Sequence, residues 1–153
     1  MRIYGIDHIQ VAIPSGSEQQ ARSFYAGVLG LDEIPKPAEL VSRGGMWFQV
    51  GAMQLHLGVE AEFRPAKKAH PALLVEGLDD LIALLEKNGY PTRTAETLSG
   101  TRRAFVDDPF GNRIELMQRH SSSKTRVLDA RLRRDRLSWR TTISALRKGI
   151  ASR

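Results

Sequence analysis

The chain contains no cysteine among its 153 residues. This absence excludes a disulfide scaffold, a zinc site built on thiolates and a cysteine nucleophile. No apolar stretch approaches the roughly 18 residues that cross a bilayer. The first eight residues also lack the apolar segment of a secretory signal. We therefore expect a cytoplasmic protein.

Acidic residues are scarce in only one part of the chain. Residues 119–153 contain 11 of the 23 Lys and Arg residues but two of the 17 acidic residues. Residues 1–118 are consequently mildly acidic and lack the basic face of a nucleic-acid-binding domain. We predict a folded domain over residues 1–118, with no nucleic-acid contact of its own, and a basic tail over residues 119–153.

The tail places apolar residues at mostly helical spacing between arginines, which predicts a basic amphipathic helix. Such helices bind membrane surfaces, acidic proteins or nucleic acids. Packing on the domain or on a second chain produces the same pattern. The sequence therefore leaves the partner of the tail undetermined.

Residues 1–118 contain one plan of elements twice. A short strand is followed by an amphipathic helix and by two or three strands, first over about residues 4–60 and again over about residues 68–118. Each strand has an apolar face and a polar face, which is typical of a sheet that forms a cup with helices on its outside. The plan predicts an α+β fold.

The first helix has a recognisable start and a continuous apolar stripe. Ser17 and Gln20 have the spacing of a capping box, which predicts a helix that begins at Ser17. The stripe has spacings of three and four residues and consists of Ala21, Phe24, Tyr25, Val28 and Leu29. Prolines interrupt the following residues, 31–45, for which we predict no regular element.

Three histidines and one glutamate occupy matching places in the two copies. His8 and His70 open the first strand of each copy, whereas His56 and Glu115 lie on the last strands. Strand alternation puts each on a polar face. Two copies related by a twofold axis bring all four side chains together, and imidazole and carboxylate groups bind divalent metals. We predict a metal site of these four residues.

Each of these residues also has an explanation without a metal. A single strand histidine is often satisfied by its neighbours, and Glu115 can form an ion pair with Arg103 or Arg113. Other polar residues share strand faces with the ligand candidates. We predict that these residues orient a substrate; the alternative is that they make ordinary cross-strand contacts. The residues are Gln10, Gln54, Arg103 and Arg113.

Several stretches resemble the vicinal oxygen chelate superfamily, which includes glyoxalases, extradiol dioxygenases and bleomycin- and fosfomycin-resistance proteins. The resemblance covers about residues 3–118. Its most specific stretch is Asp-Pro-Phe-Gly-Asn-Arg-Ile-Glu-Leu over residues 108–116, followed by Phe-Tyr-Ala-Gly-Val-Leu-Gly-Leu over residues 24–31. Shorter similar stretches lie around His8, His56 and His70.

The resemblance implies two βαβββ modules that form a cup around one divalent metal ion, of which Zn, Ni, Fe, Mn and Co are candidates. It implies that His8, His70 and Glu115 are ligands and that the fourth family position is His56, where glyoxalase-like members often have glutamate. It also implies a homodimer. Glu115 is the residue that we assign to catalysis.

We predict a metal-dependent enzyme, a lyase, isomerase or dioxygenase. It would act on a small oxygen-rich substrate through metal-stabilised oxyanion chemistry. A small-molecule-binding or antibiotic-resistance protein of the same fold without turnover is the alternative. The sequence does not identify the substrate.

Overall fold

The plan of elements that the sequence predicts twice is present twice in the computed structural model, which describes residues 1–119. The predicted tail helix and His120 lie outside the described residues. No helix within the described residues is long and apolar enough to cross a membrane.

Both modules have one strand, a helical part and three further strands. The first consists of β1 (His8–Pro14), α1 (Glu18–Arg22), a π-helical segment (Ser23–Val28), β2 (Asp32–Ile34), α2 (Ala38–Val41), β3 (Met46–Val50) and β4 (Met53–Glu60). The second consists of β5 (Ala72–Leu74), α3 (Leu78–Lys87), β6 (Thr92–Leu98), β7 (Thr101–Asp107) and β8 (Arg113–Arg119). The predicted α+β class and the two βαβββ modules are confirmed.

The strands form two mixed sheets with the same order. The sheets are β1-β4-β3-β2 and β5-β8-β7-β6, and in each the first and last strands of the module are parallel neighbours. Gln10, two residues after His8, pairs with His56, and Ala72, two residues after His70, pairs with Glu115. The predicted equivalence of His56 with Glu115 is therefore confirmed by the register.

The apolar strand faces of both modules contribute to one core. Leu55 and Leu57 of β4 and Ile114 and Leu116 of β8 belong to the same buried cluster. The ring of Phe24 contacts the ring of Tyr90 in the other module, with centroids 4.6 Å apart. Because strand side chains alternate, the polar faces of the two sheets are turned away from this core.

The first helix differs from the prediction at its start and in its winding. Ser17 precedes α1, but its hydroxyl donates to the Pro14 carbonyl at 2.6 Å and caps no helix N–H group, so the predicted capping box is wrong. After Arg22 the helix widens into the π-helical segment. There the consecutive residues Phe24 and Tyr25 are both fully buried.

Two short elements lie where the sequence predicted none. β2 has three residues and α2 has four, both within residues 31–45. Neither is long enough to show a hydrophobic period. β2 forms because its residues pair with β3, a partner distant enough in sequence that only the folded sheet reveals it.

A buried carboxylate connects the two modules. Asp108, in the turn between β7 and β8, accepts hydrogen bonds from the Tyr25 hydroxyl at 2.8 Å, the amides of Phe110 and Asn112 and the Asn112 side chain. The Asn112 side chain also donates to the Ala12 carbonyl of β1 at 2.9 Å. Burial, and then the charge of Asp108, raise the pKa of the Tyr25 phenol well above its usual value, so Tyr25 remains a donor.

We expect Tyr25→Phe to lower the free energy of unfolding by about 1–2 kcal/mol, because a buried charge-assisted hydrogen bond is lost. Urea denaturation at pH 7 measures the change. Tyr90→Phe is the matched control, since the Tyr90 hydroxyl has no hydrogen-bond partner within residues 1–119. Equal stability of both variants would contradict the role assigned to Asp108.

The wild type and Tyr25→Phe together also test the raised pKa of Tyr25. Above about pH 10 the unfolded chain loses the phenolic proton while the folded chain keeps it. The wild type therefore loses this contribution to stability as the pH rises, and the Phe variant has none to lose. The difference in free energy of unfolding between the wild type and Tyr25→Phe should therefore decrease from pH 9 to pH 11.

Candidate functional site

His70 and Glu115 form one pair on the polar face of the second module. His70 Nε2 lies 3.2 Å from Glu115 Oε2, and His70 Nδ1 lies 2.8 Å from the Lys68 carbonyl oxygen. A carbonyl only accepts, so Nδ1 carries the proton and the Nε2 of a neutral imidazole presents its lone pair to the carboxylate. Two acceptor atoms at this distance need a proton or a cation between them.

Arg103 fixes the other carboxylate oxygen of Glu115. Its Nη1 donates to Oε1 at 2.7 Å, while Nε and Nη2 donate to the Glu96 carbonyl oxygen. Glu115 is only 7% exposed, and this ion pair offsets part of the cost of burying its charge. The ion pair that the sequence offered as an alternative for Glu115 is therefore present, and it leaves Oε2 facing His70.

An aromatic ring and a second arginine border this pair. The Phe105 ring lies edge-on to the His70 ring, with centroids 5.5 Å apart. The Arg113 guanidinium lies over the Phe105 ring, 5.5 Å from its centroid. Within residues 1–119, Arg113 has no carboxylate partner, so its N–H groups are free to bind an anion.

His8 and His56 form the corresponding pair in the first module. Their rings are stacked with centroids 4.1 Å apart, and the Trp47 ring stacks on the other face of His56 at 3.9 Å. His8 Nδ1 lies 2.9 Å from Asp7 Oδ2, and His56 Nε2 lies 2.8 Å from Gln54 Oε1. Within residues 1–119, His8 Nε2 therefore has no hydrogen-bond partner, whereas His56 Nε2 is bound to Gln54.

His56 sits in an environment that disfavours its charged form. Burial lowers the pKa of His56 below its usual value, and the nearby charge of His8 lowers it further, while Asp7 opposes the shift. The imidazole of His56 is consequently neutral at physiological pH.

Gln10 lies against Gly58, whose lack of a side chain leaves room for the Gln10 amide. A Cβ atom at Gly58 would lie 2.8 Å from Gln10 Nε2, so the Gln10 amide occupies the space above Gly58. Within the described part of the chain, the amide has no hydrogen-bond partner.

One chain does not bring all four predicted ligands together. Within residues 1–119, no three His, Asp or Glu side chains form a group that could hold a metal ion. The residues lie in two pairs, His8 with His56 and His70 with Glu115. Within the described residues the two modules share a core through their apolar faces, and a single metal site of all four residues stays a prediction.

Sequence reasoning missed the groups that orient the histidines. The Asp7 carboxylate and the Lys68 carbonyl each bind an Nδ1 atom, a pattern that commonly supports metal-binding histidines. The adjacency of Asp7 and His8 was a signal for the first of these. Trp47 and Phe48 are consecutive residues of β3 and lie on opposite faces, with Phe48 in the core and Trp47 on His56.

Comparison with known proteins agrees with this architecture. A family model described as the Glyoxalase/Bleomycin resistance protein/Dioxygenase superfamily matches residues 5–116. A putative glyoxalase family protein from Bacillus anthracis is 48% identical, over 78% of this chain and all of that chain, with a TM-score of 0.74. No protein with a curated description matches the chain.

More distant structures share the fold. The fosfomycin resistance protein FosX from Listeria monocytogenes is 13% identical over 80% of this chain and 98% of its own, with a TM-score of 0.62. A glyoxalase family protein from Enterococcus faecalis is 21% identical over 74% of this chain and 96% of its own, with a TM-score of 0.59.

In metal-free protein, we expect the proton NMR resonance of His56 to titrate below the usual histidine range, and His56→Phe should remove that resonance. His8→Ala should move the pKa of His56 upward, because it removes a neighbouring positive charge and opens one ring face to water. A downward movement of the His56 titration in His8→Ala would contradict the causes assigned here.

Proposed function

The chain belongs to the Glyoxalase/Bleomycin resistance protein/Dioxygenase superfamily, and from this premise we propose that it is an enzyme that depends on a divalent metal ion. His70 and Glu115 of one chain and His8 of a second copy would hold the metal. The substrate would be a small oxygen-rich molecule. The observation that carries the proposal is that His70 Nε2 faces Glu115 Oε2 at 3.2 Å while His70 Nδ1 lies on the Lys68 carbonyl oxygen.

The spacing of that pair suits a shared cation. Two ligands bound at about 2.1 Å to one ion lie roughly 3.0–3.4 Å apart, and the measured separation is 3.2 Å. Nδ1 of the imidazole is anchored on a carbonyl oxygen, and in the neutral tautomer with the proton on Nδ1 both facing atoms can donate an electron pair to an ion. The residues present therefore fit a divalent metal.

His8 is the third donor with suitable chemistry. Its Nδ1 is bound by Asp7, so its Nε2 is available, as in His70. Since the chain keeps the pairs apart, we propose that a homodimer joins the first module of one copy to the second module of the other. A twofold axis then produces two equivalent sites.

The edges of the two sheets support this dimer. β1 and β5, which carry or follow the histidines, each lie at a sheet edge. Apolar side chains are exposed beside both edges, with Ile3 at 96%, Tyr4 at 93% and Leu74 at 61% exposure. Unpaired edges next to apolar side chains favour pairing with another chain.

The bound metal would supply Lewis-acid stabilisation of negative charge on a substrate oxygen. Arg103 holds Glu115 so that one oxygen remains directed at His70, which makes it a positioning residue. Arg113 offers a second positive charge to an anionic group of the substrate. Gln10 offers an unpaired amide from the first module, whereas the Gln54 amide oxygen is already bound to His56.

We expect purified wild-type protein to contain about one divalent metal ion per chain by elemental analysis. His8→Ala and Glu115→Ala should each weaken metal binding by more than about 100-fold, since each removes a donor atom. His120→Ala, which changes a histidine outside the predicted site, is the control. Full metal content in both site variants would rule out the ligand assignment. A metal-free wild type would favour the binding protein without turnover.

A mixed dimer tests where His8 comes from. A dimer of one His8→Ala chain and one Glu115→Ala chain keeps one intact site if ligands come from both copies, and none if each site lies within a chain. We therefore expect the mixed dimer, isolated with two affinity tags, to hold about half of the wild-type metal. Metal content as low as in either parent variant would place the site within one chain.

A further inference from the structure

His56 occupies the sequence position predicted for a fourth ligand, but its surroundings suit a different role. We propose that His56 is a positioning residue that orients His8 by stacking and is not itself a ligand of the metal ion, whose three protein ligands are those proposed above. This inference depends on the metal site proposed above.

The three stacked rings leave His56 no freedom to turn. Trp47 lies directly across the ladder from His56, and their ring planes are inclined by 2°. The His8 ring covers the opposite face at an inclination of 17°. With both faces covered, the ring presents only its edge, and Nε2 on that edge is bound to Gln54.

Stacked imidazoles cannot share a metal ion. The nitrogen lone pair lies in the plane of the ring, so a bound ion lies close to that plane. Two nearly parallel planes about 4 Å apart intersect far beyond the roughly 2 Å length of a metal–nitrogen bond. While the stack persists, an ion bound by His8 is out of reach of His56.

His8 has little else to hold it. Its side chain is 42% exposed, and its hydrogen-bond partner Asp7 is 92% exposed. By contrast, His56 is buried and supported by Trp47 from the next strand. A fixed aromatic face therefore orients an otherwise exposed ligand. This support lowers the entropic cost of ordering His8 when it binds.

Titration of the metal-free, full-length protein with Co²⁺ separates a ligand from a stacking residue. His56→Phe keeps a flat ring between Trp47 and His8 but has no nitrogen, and we expect its affinity within about threefold of the wild type. His56→Ala removes the ring and should weaken binding about 10-fold or more. His8→Ala should weaken binding by more than about 100-fold. The cobalt absorption spectrum of His56→Phe should match that of the wild type.

The inference is overturned if His56→Phe binds cobalt as weakly as His8→Ala or changes the spectrum to that of a site with one ligand fewer. Circular dichroism and urea denaturation establish that both His56 variants are folded. An affinity of His56→Ala equal to the wild type would also contradict the positioning role.

Metal-free NMR keeps the two proposals separable. Stacking on His56 should shift the ring protons of His8 upfield, and the shift should persist in His56→Phe and disappear in His56→Ala. If the wild type binds no cobalt, the proposed function fails together with the three-ligand site, and these resonances still decide whether His56 orients His8. Identical His8 resonances in wild type and His56→Ala would refute the stack.

Discussion

The arrangement of the two modules depends on one buried carboxylate. Asp108 is 4% exposed and accepts four hydrogen bonds, one of them from the Tyr25 hydroxyl in the other module. A buried charge without such partners would be strongly destabilising. The partners therefore have to be present together, which requires the turn before β8 to lie against the helical part of the first module.

This constraint also decides where the polar faces lie. With Tyr25 bound to Asp108 and the Asn112 side chain bound to the Ala12 carbonyl, the modules meet through their helical and apolar sides. The face that carries His8 and the face that carries Glu115 then remain open. This arrangement is the one on which the proposed dimer rests.

Periodicity and repetition predicted much of this structure. The i, i+2 alternation put His56 and Glu115 on polar faces, and the repeat placed them at equivalent positions, as the strand register confirms. These features follow from local sequence because strand alternation is a property of the backbone. The stripe of Phe24 and Tyr25 likewise predicted buried residues, although it did not predict the wider π-helical winding.

Other features depend on contacts that no local pattern encodes. Whether two polar faces meet within one chain depends on which faces form the core, and that depends on the partners of Asp108 and Asn112. The capping-box pattern at Ser17 failed because the hydroxyl donates to the Pro14 carbonyl and accepts no helix N–H group, a difference that spacing alone does not encode. The orientation of each imidazole depends on Asp7, Lys68 and Gln54.

The two modules differ in the charge that each places beside the equivalent residues His56 and Glu115. In the second module, Arg103 neutralises the carboxylate of Glu115. Arg103 lies two residues before Phe105, the residue that pairs with Glu115. The equivalent position in the first module, two residues before the Trp47 that pairs with His56, is Gly45. A Cβ atom at Gly45 would lie 2.0 Å from the Leu57 carbonyl oxygen, so no arginine fits there. A carboxylate at position 56 would therefore lack the positive charge that Arg103 gives Glu115, whereas a neutral imidazole between two rings needs none.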